Sequence, residues 1–146
     1  MKGIVVDASV ALAWCFPDEH SEYADDVLDA LEGQTVVVPS VWVLEVANAV
    51  LVAERRKRIG KADIVRFVAL LGNLSISEMS VPVGGILETV IPLGREHGLS
   101  AYDAAYLDVA VRTGLALATA DGPLEGAARK AGVVIWTSRK SGKGKR

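Results

Sequence analysis

A single cysteine, Cys15, stands in 146 residues, so no intramolecular disulfide is available and a disulfide-stapled fold is excluded. Its neighbours Trp14 and Phe16 place it in an apolar patch, which points to a core thiol in a reducing compartment and not to a nucleophile. Histidine is nearly as scarce. His20 and His97 have no second His or Cys at ligand spacing, and both are assigned structural roles, His97 beside Gly98 at a helix C-terminus. No uninterrupted apolar run approaches the roughly 18 residues of a membrane span, and the run between Lys2 and Asp7 is too short for a secretory signal. A soluble, cytoplasmic protein without a membrane partner is expected. No glycine-rich phosphate loop follows any predicted strand, which strongly disfavours the Rossmann and P-loop nucleotide binders. Aromatic residues make up 5% of a chain that is 51% hydrophobic, so the apolar content is mainly Ala, Val and Leu, as buried parallel strands covered by helices require.

The length predicts one domain with a single core. Charge is unevenly spread. Arg139, Lys140, Lys143, Lys145 and Arg146 carry five positive charges with no acid among them, so a net charge of -2 leaves the rest of the chain at -7. An acidic body is not a plain nucleic-acid-binding surface, and a polyanionic substrate would require the acids to be masked. Residues 1–137 are therefore expected to form the domain and 138–146 a basic, disordered tail.

The chain is organised around Gly3-Ile4-Val5-Val6, an apolar, β-branched run of the kind buried on both faces of a parallel sheet, which ends abruptly at Asp7. Further buried strands are predicted at 35–38, 115–119 and 133–136, with a weak edge strand at 80–83 where Pro82 is tolerated. Helices are predicted at 10–16, 21–31, 41–58, 61–71, 85–97, 101–114 and 124–131. Ser40 is the expected N-cap of the third, whose apolar face would carry Val43, Ala47, Val50 and Leu51, and Pro92 would bend the fifth. This alternation predicts an α/β fold, a three-layer α/β/α sandwich around a parallel sheet.

Four acids stand at one predicted end of that sheet. Asp7 and Asp121 follow strands, and Glu45 and Asp103 lie in the first turns of helices. Each has an ordinary explanation. Asp7 or Ser9 and Asp121 suit helix caps, and Ser100 with Asp103 has capping-box spacing. Glu45 could be an exposed glutamate, although with Asn48 it interrupts an otherwise apolar run from 41 to 53. Asp108, farther along its helix, is expected to be exposed. Taken jointly, the four positions converge where α/β sheets bind ligands, and carboxylates brought that close repel unless a cation is present. Oxygen donors without Cys or His suit hard ions such as Mg²⁺ or Mn²⁺.

Four segments, Ile4-Val5-Val6-Asp7-Ala8-Ser9, Leu44-Glu45-Val46-Ala47-Asn48-Ala49, Ala101-Tyr102-Asp103-Ala104-Ala105-Tyr106 and Ala118-Thr119-Ala120-Asp121-Gly122-Pro123-Leu124, resemble in order the four acidic motifs of PIN domains. The likeness runs from Lys2 to about Thr137 and is greatest to the VapC toxins of prokaryotic toxin–antitoxin pairs. The resemblance implies an Mg²⁺- or Mn²⁺-dependent endoribonuclease with Asp7, Glu45, Asp103 and Asp121 as metal-binding acids. It also implies Ser9 and Thr119 as accessory hydroxyls, Asn48 as a supporting polar residue, an RNA substrate, a homodimer and a cognate antitoxin. The rivals are a catalytically inactive PIN-like scaffold and a regulatory binding module of the receiver type. The latter expects paired acids near the first strand and a lysine after the last, where Trp136-Thr137 stands instead.

Overall fold

The computed structural model describes residues 2–138; the basic run from Arg139 onward lies outside the described residues. The elements follow in the order β1 (Gly3–Val6), α1 (Ala8–Ala13), α2 (Glu22–Ala30), β2 (Thr35–Val38), α3 (Val41–Arg55), α4 (Lys61–Gly72), β3 (Ser75–Glu78), α5 (Val83–His97), α6 (Ala101–Thr113), β4 (Ala116–Ala118) and α7 (Gly122–Lys130), with a 3₁₀ turn at Pro17–Glu19. The sheet is parallel throughout in the order β3-β2-β1-β4, flanked by the seven helices. The predicted α/β architecture is therefore the observed one.

Strand β1 is central because its side chains satisfy burial on both faces. Ile4, Val5 and Val6 are all buried, as are Val36, Val37 and Val38 of the neighbouring β2. Gly3 is required where β1 meets β2, since a Cβ there would stand 2.6 Å from the backbone oxygen of Thr35. Helix α6 packs into the core through Ala104, Tyr106, Leu107, Val109 and Ala110. It ends at Gly114, whose φ of 71° is open to glycine at little strain and turns the chain into β4. Cys15 is a buried free thiol, and burial raises its pKa, as a core role requires.

Several local expectations are corrected. Ser40 does not cap α3: its backbone is already right-handed helical, and the amide of Trp42 bonds to the Pro39 oxygen at 3.1 Å. The edge strand lies at Ser75–Glu78, not at 80–83, and Pro82 instead precedes the first turn of α5. The last predicted strand is reduced to one bridge between Leu117 and Ile135, because β4 itself offers only three residues. Asp108 is buried, not exposed, and pairs with Arg112 Nε at 2.8 Å. The apolar face predicted for α3 is only partly covered. Val43 and Leu51 stand exposed along a groove of about 450 Å³ shared with Phe67 and Val68 of α4. Among the described residues, no helix is long and apolar enough to cross a membrane.

Candidate functional site

The carboxyl ends of β1 and β4 lie side by side. Val6 is in register with Ala118, and the Asp7 amide extends that pairing by donating to the Ala118 oxygen at 3.1 Å. The next residue on each strand, Asp7 and Thr119, therefore meets its counterpart across the sheet edge. Asp7 does cap α1, accepting the Val10 amide at 3.1 Å, yet it does more than cap. The Ser9 hydroxyl donates to Asp7 Oδ1 at 2.6 Å, and the Thr119 hydroxyl donates to Oδ2. Each hydroxyl also accepts from the chain after β4, Ser9 from the Ala120 amide at 3.2 Å and Thr119 from the Asp121 amide at 2.9 Å. Two hydroxyls thus bind the Asp7 carboxylate to the loop that carries Asp121.

Asp7 is 4% exposed, and its described hydrogen-bond donors are all neutral. Burial pushes its carboxyl above the ordinary carboxylate range against the pull of Ser9, Thr119 and Val10, and the charge of Asp121 adds to the rise. Asp121 accepts the Leu124 amide at 2.9 Å as the N-cap of α7. Asp103, half-buried in the first turn of α6, has its amide held by the Ser100 hydroxyl at 3.2 Å, as the capping spacing predicts. Its carboxyl too is raised, first by burial and then by the charge of Asp121, with the Ser100 hydroxyl opposing. Glu45 is half-buried on α3 and accepts the Tyr106 hydroxyl at 2.7 Å. Asn48 is exposed on the next turn of α3 and makes none of the described hydrogen bonds to these acids.

The cap and site roles are therefore not exclusive. Asp7, Ser9, Thr119 and Asp121 form one hydrogen-bonded unit, and Asp103 feels Asp121 electrostatically. Glu45 joins through Tyr106, whose phenol is raised first by burial and then by the bond and charge of Glu45, and also feels Asp7. The acids meet in this linked fashion and not as a closed cage: among the described residues, no three His, Cys, Asp or Glu side chains are placed to hold an ion together. The donor set still fits a hard divalent cation. It offers only carboxylates and hydroxyls, and its most buried member is an anion whose ionisation is opposed by burial, the condition a cation relieves.

Two residues escaped the sequence. Tyr106 looks like one more apolar residue on a core helix, although its position three residues after Asp103 was a usable signal. Tyr23 donates to the Trp136 oxygen at 2.8 Å, and burial pushes its hydroxyl up to about 12. It borders a cleft of about 440 Å³, lined also by Ser21, Arg129 and Thr137, whose wall reaches Thr119, Ala120 and Gly122, the residues on either side of Asp121. Arg129 contributes a cation to its wall, paired with Glu125 at 3.2 Å.

The family model described as PIN domain matches residues 4–130. Among curated proteins, the chain is 32% identical over 118 residues to VapC ribonuclease Mb0985 of Mycobacterium bovis, covering 81% of this chain and 85% of the relative. It is 28% identical over 118 residues to Ribonuclease VapC3 of Pyrobaculum aerophilum, covering 81% of this chain and 88% of that one. Among solved structures, PAE2754 from Pyrobaculum aerophilum superposes with a TM-score of 0.66 at 25% identity, over 92% of this chain and 83% of the other.

Proposed function

The chain belongs to the PIN-domain family, and from that premise we propose that it is a divalent-metal-dependent endoribonuclease, the toxin of a toxin–antitoxin pair. The observation that carries the metal-dependent reading is Asp7: a buried carboxylate at the sheet's carboxyl end, held by neutral donors and tied to the segment bearing Asp121. The VapC ribonucleases to which the chain is similar support RNA as the substrate. An inactive scaffold would have no use for a buried anion whose ionisation opposes folding.

Asp7, Glu45, Asp103 and Asp121 would hold Mg²⁺ or Mn²⁺. When bound, such an ion neutralises the acids, polarises a phosphoryl oxygen and lowers the pKa of water. The residues of the chain do the rest. Ser9 and Thr119 fix the Asp7 carboxylate through both oxygens, so its orientation is set before substrate arrives. Asp103 and Asp121, at the starts of α6 and α7, stand on rigid helices. Arg129, on the wall of the adjoining cleft, would meet a backbone phosphate of an RNA strand lying there. A homodimer restrained by a cognate antitoxin completes the proposal. The direct test is cleavage of an RNA pool in Mg²⁺ or Mn²⁺ by the wild type and by Asp7→Asn. The proposal requires cleavage by the wild type, its loss with chelator and its loss in the variant; equal cleavage by both proteins would overturn it.

A further inference from the structure

Tyr106 is 1% exposed, and its hydroxyl donates to Oε1 of Glu45, 61 residues away in the chain, while the Ala8 backbone amide faces it as a donor. A buried phenol hydroxyl needs a partner, but nothing in core packing requires that partner to be an acid on another helix. Phenylalanine would fill the same space without the need. What the hydroxyl adds is a hold on a flexible side chain, since a free glutamate samples many rotamers and must give that freedom up to be fixed. The donor is well placed to supply that hold. Tyr106 lies three residues after Asp103, so the two share a face of α6, and one rigid helix carries both an acid and a donor aimed at another acid. Only Oε1 is engaged by the phenol, which leaves Oε2 for other work.

We propose that Tyr106 is a positioning residue, whose hydroxyl fixes the Glu45 carboxylate so that its free oxygen is presented to the divalent ion. The inference rests on the metal-dependent reading of the site given above. It is tested with Tyr106→Phe, which removes one oxygen and keeps the ring in the core. Manganese affinity is measured directly from the spin-resonance signal of free Mn²⁺, alongside kcat and KM for a defined RNA. The expected result is a manganese affinity weakened about tenfold, a lower kcat and an unchanged KM. In a Glu45→Ala background the same substitution should weaken manganese binding no further, because there is no carboxylate left to position. Wild-type manganese affinity in Tyr106→Phe would overturn the inference, as would an equal further loss in the Glu45→Ala background. Asp7→Asn, run in the same assays, separates the two levels. If it is inactive while Tyr106→Phe matches the wild type, only the positioning role falls; if Asp7→Asn binds manganese and cleaves like the wild type, the metal-dependent reading falls and the positioning role with it.

Discussion

Asp7 shows how one residue can be both a helix cap and the most buried member of a candidate site. Asparagine caps as well as aspartate but is a poor charged ligand, so Asp7→Asn should fold and lose activity. Because burial raises the Asp7 carboxyl above its unfolded value, the stability it contributes is fully present below the unfolded pKa of 3.8 and is lost as pH rises through the folded value. Without metal at neutral pH, Asp7→Asn should therefore melt above the wild type, and the gap should close as pH falls toward 4. Thermal melts in chelator check this, and a gap constant with pH would contradict it. Asp7, Asp103 and Asp121 stood out in the sequence because they stand next to strand ends and helix starts, and Glu45 because it interrupts an apolar run. Asp108 was not: it occupies a solvent-like position in the helical pattern, and only the partner Arg112, one turn on, makes its burial tolerable. Arg112 reaches further, to the Gly85 oxygen at 3.3 Å and the Thr89 hydroxyl at 3.2 Å, and so ties α6 to α5. Arg112→Ala should lower stability by about 1–3 kcal/mol by leaving the Asp108 carboxylate buried and without this partner, measured by urea denaturation, with RNA cleavage per folded molecule unchanged.

Among elements, those buried on both faces were the readable ones. Residues 35–38 were predicted and found as β2, whereas β3 was displaced by several residues, since its sequence Ser75-Ile76-Ser77-Glu78 holds one apolar side chain and lies at the exposed sheet edge. The final strand failed for the opposite reason. Val133 to Trp136 have the composition of a strand, but pairing is limited by the three residues of β4, and Val134 points to solvent at 70% exposure. The β1–β2 contact makes a sharper prediction. Gly3→Ala would press a methyl group onto the Thr35 backbone oxygen, which cannot swing aside as a side chain can. A loss of about 2 kcal/mol is expected, read as a lower urea midpoint; wild-type stability would mean that the two strands separate easily at this end.

For the whole molecule, the parallel order β3-β2-β1-β4 places Asp7 and Asp121 at adjacent strand ends and brings α3 and α6 close enough for Glu45 to meet Tyr106. Residues spread from 7 to 121 therefore become one electrostatic system, and that coupling was inferable from topology, while the partners of the Ser9 and Thr119 hydroxyls and of the Tyr106 phenol were set by side-chain placement, at which the sequence spacing only hints. The acids should act together on a cation. Mn²⁺ at a hundredfold excess over its Kd should stabilise the wild type by about 2.7 kcal/mol, several degrees in Tm for a chain of this size, and Asp103→Asn by clearly less; equal shifts would remove Asp103 from the site. The central claim, that four separated segments build one cation site at the end of this sheet, is tested most directly by anomalous diffraction from a crystal soaked in manganese. A manganese peak bounded by Asp7 and the acids of at least two other segments is predicted. Manganese bound only elsewhere, with those carboxylates turned away from one another, would contradict it.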